Sequence, residues 1–277
     1  MKTVRLPSGE AVPALGMGTW RMGEDPAQGV QEIATLQLGL DLGCRLIDTA
    51  EMYGEGLAEE LVGQALQGRR EQAFVVSKVY PHNASASGVV AACERSLCRL
   101  KTDHIDLYLL HWRGSVPLAQ TLAGLAALQQ AGKIRHYGVS NLDLADMQEL
   151  WTLPGGTGVQ SNQLLYNLSR RGIEWDLLPW MRERRLPLMA YSPIEQARLL
   201  HHRGLAAFAK RHGMTPAQAA LAWLLGQGDV IAIPKTSGLQ RLRDNVSAAE
   251  LVLDAAQVAE LDALFPPPAG PSALEMI

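Results

Sequence analysis

The chain has 277 residues, with 25 Lys and Arg against 28 Asp and Glu and a formal net charge of −3. So mild a charge gives no reason to expect nucleic acid or an anionic membrane as a partner, and no run of about 18 apolar residues marks a membrane span. The length suits one α/β barrel, for which about 250 residues is typical, or two smaller domains.

Met1 to Pro13 lacks the apolar core of a signal peptide. Cys44, Cys93 and Cys98 are three in number and cannot all pair, and no metal-ligand spacing is present. Reduced thiols in a cytoplasmic protein without a metal are therefore expected.

The first candidate strand is Leu15 to Thr19. A helix over Ala27 to Leu42 follows, with Val30, Ile33, Ala34, Gln37, Leu38 and Asp41 at spacings of three and four, and Gly43 as its stop. Strands are predicted over Arg45 to Thr49 and Phe74 to Val79. A helix over Ser85 to Leu100 and a strand over Ile105 to His111 come next. The helix Pro117 to Ala131 is closed by Gly132 as a left-handed cap. The strand His136 to Ser140 leads into a helix over Leu142 to Leu153, ended by Pro154-Gly155-Gly156. Strands at Val159 to Gln163 and Leu188 to Ser192 follow. Thr215-Pro216 reads as an N-cap with proline at the first helical position. A strand over Val230 to Pro234, helices over Gly238 to Val246 and Asp254 to Phe265, and a surface strap from Pro266 to Ile277 complete the chain.

Eight short apolar strands alternating with helices, with no linker, predict a (β/α)8 TIM barrel forming a single domain over residues 1–277. In such a barrel the C-terminal strand ends converge on one mouth. Asp48, Tyr53, Lys78 and His111 all lie at or just past such ends. Each has a plainer reading: Asp48 as a helix cap, Tyr53 as a loop aromatic over core, Lys78 as a solvated charge, His111 as a core histidine. Together they form a set that can give a proton to a carbonyl oxygen during hydride transfer. The phenol of Tyr53 has a reference pKa of about 10, and Lys78, held charged by Asp48, is expected to lower it. A neutral His111 would donate a second hydrogen bond to the same oxygen.

Lys235, Thr236 and Arg241 offer two cations and a hydroxyl near the last strand end, a set suited to a phosphate monoester. Asn245 lies one turn beyond Arg241. Ser140, Asn141 and Gln163 end two other strands, where amides can pair a carboxamide. Tyr191 offers a flat face for a ring. The plainer readings here are a solvated helix face, loop capping and core packing. No Gly-x-Gly-x-x-Gly follows a strand, so a Rossmann site is excluded as the source of dinucleotide binding.

The ordered series Gly16-Met17-Gly18-Thr19-Trp20, Leu46-Ile47-Asp48-Thr49-Ala50 with Tyr53-Gly54, Val76-Ser77-Lys78, Leu107 to Trp112, Gly132 to Arg135 with Gly138 to Asn141, Asn162-Gln163, Ala190 to Pro193 and Ile233 to Thr236 resembles the aldo-keto reductases over essentially the whole chain. Within that family it is most similar to bacterial members of the methylglyoxal reductase type, in Glu51-Met52-Tyr53, Val79-Tyr80-Pro81 and Asp146 to Trp151. The resemblance implies a barrel with NADP(H) across its mouth, Tyr53 as general acid, Lys78 and Asp48 as its tuners, and His111 orienting the carbonyl. It also implies a cofactor cradle of Gly18, Thr19, Trp20, Asp48, Ser140, Asn141, Gln163, Tyr191, Ser192, Pro193, Ile233, Pro234, Lys235, Thr236, Ser237, Arg241, Asp244 and Asn245.

Three features depart from the family pattern. Glu195 places an acid in the pyrophosphate loop, where Arg198 or Arg203 could compensate. Asp244 stands where many members have Glu. The loop Pro193 to Gly204 is short, which implies an open, adaptable pocket. Trp20, Met22, Tyr53, Tyr80, His111 and Trp112 are expected on the substrate side, facing small aldehydes and 2-oxoaldehydes. Sugar or steroid carbonyls, and a redox-sensing regulatory role, are the alternatives. A phosphosugar isomerase or aldolase barrel is disfavoured by the Asp48 partner proposed for Lys78. A monomer is expected.

Overall fold

Turn-bounded apolar triplets and sextets dominate the computed structural model, which describes residues 1–277. A small antiparallel hairpin, β1 (Thr3–Arg5) and β2 (Ala11–Pro13), comes first. Eight parallel strands follow: β3 (Gly16–Gly18), β4 (Leu46–Asp48), β5 (Phe74–Val79), β6 (Ile105–Leu110), β7 (Ile134–Ser140), β8 (Asn162–Leu165), β9 (Leu188–Tyr191) and β10 (Val230–Ala232). Each pairs with its neighbour in chain order. Leu15 bridges Ala232 and Gly18 bridges Lys235, which brings the first strand against the last and makes the sheet a barrel. All residues of β4, β5, β6 and β8 are buried, because helices cover the outside while side chains fill the inside.

The outer ring holds α1 (Gly29–Asp41), α2 (Leu57–Ala65), α3 (Ala86–Leu100), α4 (Leu118–Gln130), α5 (Leu144–Thr152), α6 (Leu177–Glu183), α7 (Arg203–Arg211), α8 (Pro216–Leu225), α9 (Leu239–Ala248) and α10 (Ala255–Leu264). Side-chain caps set several starts. Ser85 accepts from the Gly88 amide, Asp143 from Asp146, and Thr215 and Gln218 form a full capping box at the predicted N-terminus of α8. Three helices lie outside the sequence expectation. α2 starts from a left-handed Gly56 without a side-chain cap, α6 is seven residues long and contains Pro179, and α7 is capped by His202 Nδ1, which accepts from Leu205.

The predicted stripe on α1 is out of phase with its buried face. Val30 is 83% exposed, while Glu32, Thr35, Leu36, Gly39 and Leu40 are buried. The contact is made by the smallest residue: a Cβ at Gly39 would lie 2.0 Å from Met17 Sδ on β3. Close approach, rather than apolar periodicity, sets the rotation of this helix.

The hairpin floors the end of the barrel remote from the strand C-termini. Val4, Leu6 and Val12 are buried there, and Glu10 accepts from Arg135 at 2.8 Å and pairs with His136 Nε2 at 2.6 Å. The tail forms the expected strap. Leu274 packs against the core and Glu275 pairs with Arg170 beyond β8.

Candidate active site

Lys78, wholly buried on β5, is the hub of the mouth. Its Nζ lies 2.8 and 2.9 Å from the two carboxylate oxygens of Asp48 on β4, 2.9 Å from Thr49 O and 3.1 Å from Tyr53 Oη. Three acceptor groups, the Asp48 carboxylate, the Thr49 carbonyl and the Tyr53 hydroxyl, match the three N–H bonds of an ammonium. Asp48 Oδ1 also accepts from Gln163 Nε2 on β8 at 2.7 Å. The Tyr53 oxygen thus accepts from Lys78, and its own O–H meets no acceptor of the protein. His111 stands edge-on to Tyr53, with ring centroids 5.8 Å apart. The four residues singled out at the strand ends therefore share one small volume.

The electrostatics differ from expectation in one respect. Burial, reinforced by the negative charge of Asp48, holds the Tyr53 phenol well above its ordinary pKa instead of lowering it. Burial also pulls Lys78 below the usual ammonium range, with Asp48 and Glu59 opposing the shift. Burial and the Lys78 charge push His111 down to about 2, so its imidazole is neutral at any physiological pH. Its Nδ1 is buried without a partner. The site therefore presents a protonated phenol backed by a cation, beside a neutral imidazole.

A second group lines the same mouth. Tyr191 Oη donates to Asn141 Oδ1 at 3.0 Å, and Asn141 Nδ2 donates to His111 O and to Ser140 Oγ, both at 3.1 Å. Asn141 and Ser192 adopt left-handed backbone, with φ of 56° and 47°. Gln163 is buried at the same mouth, and its amide nitrogen donates to Asp48. Thr19 is fully buried, and its hydroxyl donates to Asp48 O at 2.9 Å. Pro193, Ile233 and Pro234 are likewise buried, and Trp20 and Ser192 are half-buried.

At the β10 end, Arg241 Nε donates to Thr236 Oγ1 at 3.1 Å and lies over Gly238. Lys235 is half-buried, with its nearest carboxylate, Glu32, 4.0 Å away. Two cations and a hydroxyl without close carboxylate partners fit a phosphate monoester. Asn245 is buried below them. Asp244 is turned to its own helix, where it accepts from Gln240 at 3.0 Å. The backbone carbonyl of Ser237 accepts from Gln31 and Thr35.

Glu195 resolves the anomaly of an acid in the loop after β9. It is buried, accepts from Arg170 through both Nε and Nη2 (3.0 and 2.9 Å), from Arg198 at 2.8 Å and from Asn167 at 2.8 Å. These donors hold its carboxyl below the usual range against the opposing effect of burial. Arg198 is thus engaged with Glu195 and is not a free cation for a pyrophosphate. The loop is short, as expected, and is fastened rather than loose. Asn167 and Arg170 escaped the sequence reading because they follow β8 without any motif around them.

On the remaining side, Tyr80 and Trp112 meet edge to face at 5.8 Å, and His82 stacks on Tyr80 at 4.6 Å. Trp20 carries the Arg21 guanidinium 4.4 Å above its ring. Met22 is 1% exposed and belongs to the core, not to this wall.

A family model described as "Aldo/keto reductase family" matches residues 14–265. Methylglyoxal reductase YeaE of Escherichia coli K12 is 48% identical, over all of this chain and 99% of that protein. Glyoxal reductase of Bacillus subtilis is 31% identical, over 95% and 92%. Two crystal structures of an aldo-keto reductase from Klebsiella pneumoniae, one with NADP and acetate and one with NADPH, superpose with a TM-score of 0.97. Each is 48% identical, over 100% of this chain and 99% of that one.

Proposed function

The chain belongs to the aldo/keto reductase family and is an NADP(H)-dependent oxidoreductase, and on that premise we propose that it reduces small aldehydes and 2-oxoaldehydes such as methylglyoxal, with Tyr53 as general acid. The observation that carries this reading is the 3.1 Å contact from Lys78 Nζ to a Tyr53 oxygen whose own proton is unengaged.

NADPH, when bound, supplies the hydride. Lys235, Thr236 and Arg241 would hold its 2′-phosphate and Asn245 its adenine. Asn141, Ser140 and the Tyr191 ring would hold the nicotinamide. Tyr53 donates its proton to the carbonyl oxygen as negative charge builds there. Lys78 then faces a nascent phenolate at 3.1 Å, an ion pair that the neutral ground state lacks. Raising the phenol pKa in the free site and stabilising the phenolate only as it forms are compatible, because the negative charge of Asp48 keeps Lys78 cationic. Neutral His111 orients the carbonyl. Trp20, Tyr80 and Trp112 supply an aromatic wall of limited extent, which favours small carbonyl compounds. The three unpaired cysteines support a reducing, cytoplasmic location, and a monomer is inferred from the family resemblance alone.

The test is Tyr53→Phe. Loss of turnover with methylglyoxal by roughly three orders of magnitude is expected, the middle of the range for general acid catalysis, with NADPH binding by fluorescence titration preserved. Retained turnover would remove Tyr53 from the role.

A further inference from the structure

Outside the barrel wall, between β5 and the helices α2 and α3, lies a polar cluster that the proton-transfer set does not include. Glu59, in the first turn of α2, has no exposed surface. Its Oε1 accepts from Ser77 Oγ at 2.5 Å, and its Oε2 accepts from Arg99 Nε at 2.6 Å. Arg99, near the end of α3, is 20% exposed. A carboxylate buried this deeply is retained only when its partners are well placed, so the position of these partners matters.

Ser77 is the residue before Lys78 on β5. Side chains alternate across a strand, so Ser77 points outward to α2 while Lys78 points into the barrel. Arg99 bears on the other half of the pair. The segment Tyr53–Gly56 carries the phenol into the mouth, and Gly54, Glu55 and Gly56 in it have φ of 57°, 54° and 98°. Three successive left-handed residues, one of them not glycine, need external support. A Cβ at Gly56 would lie 2.5 Å from Arg99 Cδ and 2.6 Å from its Nε. The side chain of Arg99 is therefore pressed against this turn while its guanidinium is held by Glu59.

We propose that Glu59 is a positioning residue for the Tyr53–Lys78 pair: one buried carboxylate grips the strand that delivers Lys78 through Ser77, and the turn that delivers Tyr53 through Arg99. The inference rests on the assignment of Tyr53 as general acid. Glu59 also adds negative charge behind Lys78 and opposes the lowering of its pKa by burial. The charged and titratable groups around this centre are Asp48 on β4, Tyr53 in its turn, Arg99 and Cys93 on α3, and Tyr108 and His111 at β6.

The experiment compares Glu59→Gln, Ser77→Ala, Arg99→Ala and Arg99→Lys with the parent and with Tyr53→Phe. Steady-state kinetics with methylglyoxal would be run from pH 6 to 10, alongside NADPH binding. Glu59→Gln is expected to lower kcat by roughly ten- to a hundredfold, with KM and NADPH affinity within about threefold. Its alkaline limb should move to lower pH, because Lys78 loses a neighbour that favours its cation. A residue that merely stabilises the fold would lower the melting temperature and leave that limb in place. Ser77→Ala, which keeps the Glu59–Arg99 pair, is expected to lower kcat by severalfold, and Arg99→Lys to restore part of the loss seen in Arg99→Ala. Parent-like kcat and pH profile in folded Glu59→Gln would overturn the proposal while an inactive Tyr53→Phe left the acid assignment standing. If Glu59→Gln does not fold, parent-like kinetics in Ser77→Ala overturn it instead. An active Tyr53→Phe would strike the acid assignment itself.

Discussion

Gln163 Nε2 donates to Asp48 Oδ1 at 2.7 Å, from β8 to β4, strands that face each other across the barrel. The bond crosses the interior and completes the coordination of a carboxylate whose other contacts go to Lys78. Gln163→Leu would leave one buried oxygen with a single partner, at a stability cost of about 1–3 kcal/mol. Gln163→Glu would set a second carboxylate against Asp48 and should be the more damaging, with activity recovering partly at acid pH as one proton is shared. Urea titration and a pH–activity curve on both variants check this ordering.

His111 makes stability depend on pH in a defined direction. Its folded pKa is about 2 against an unfolded value of 6.5, so between these values the unfolded chain binds the extra proton. Stability contributed by the neutral imidazole is present above 6.5 and falls with pH below it, by up to about 1.4 kcal/mol per pH unit. Comparing urea midpoints of the parent and His111→Gln from pH 4 to 7 should show a shallower acid slope in the variant. Parallel slopes would contradict the assignment. The same depression predicts no ionisation of His111 in the activity profile above pH 5.

Lys235 and Arg241 should discriminate between cofactors. Loss of a charge-assisted hydrogen bond costs about 1.5–3 kcal/mol, so each alanine variant should weaken NADPH by roughly ten- to a hundredfold. NADH, which lacks the 2′-phosphate, should change little. Equal losses for both would refute the phosphate assignment, and added salt should weaken NADPH in the parent more than in the double variant.

Arg170 should affect both cofactors alike. It fastens Glu195 with two hydrogen bonds and reaches Glu275 in the tail. Arg170→Ala leaves a buried carboxylate short of a partner, for about 2 kcal/mol of destabilisation. It also frees a negative charge in the loop after β9, beside the proposed cofactor site. NADPH and NADH should both bind more weakly, and faster release of NADPH in stopped-flow fluorescence would distinguish this from loss of a phosphate contact.

The sequence makes the barrel legible because each strand is a short apolar run with a turn signal after it, and because Asp48, Lys78 and His111 fall at the same end of successive runs. What it conceals has identifiable physical causes. The hairpin β1–β2 is three residues a side, too short for a periodicity to register. The face of α1 is set by the absence of a side chain at Gly39, whereas pattern reading counts side chains that are present. Helix α7 begins at a histidine cap, outside the usual set of Ser, Thr, Asp and Asn. The burial of Glu195 depends on Asn167 and Arg170, which are remote in sequence. The pKa of Tyr53 has the same origin: a residue list supplies the neighbouring cation, and only the fold supplies the desolvation that outweighs it.

Gly18 sits between Lys235 on one side and Asp48 on the other, bridged to the first and in register with the second. A Cβ there would come within 2.8 Å of Ile233 O. The seam that shuts the barrel is therefore also what separates Lys235 from Asp48, one peptide wide. Mutational libraries that enlarge the pocket by varying position 18 would unpick the closure before they gained any space, so diversification of substrate range has to enter from the aromatic wall.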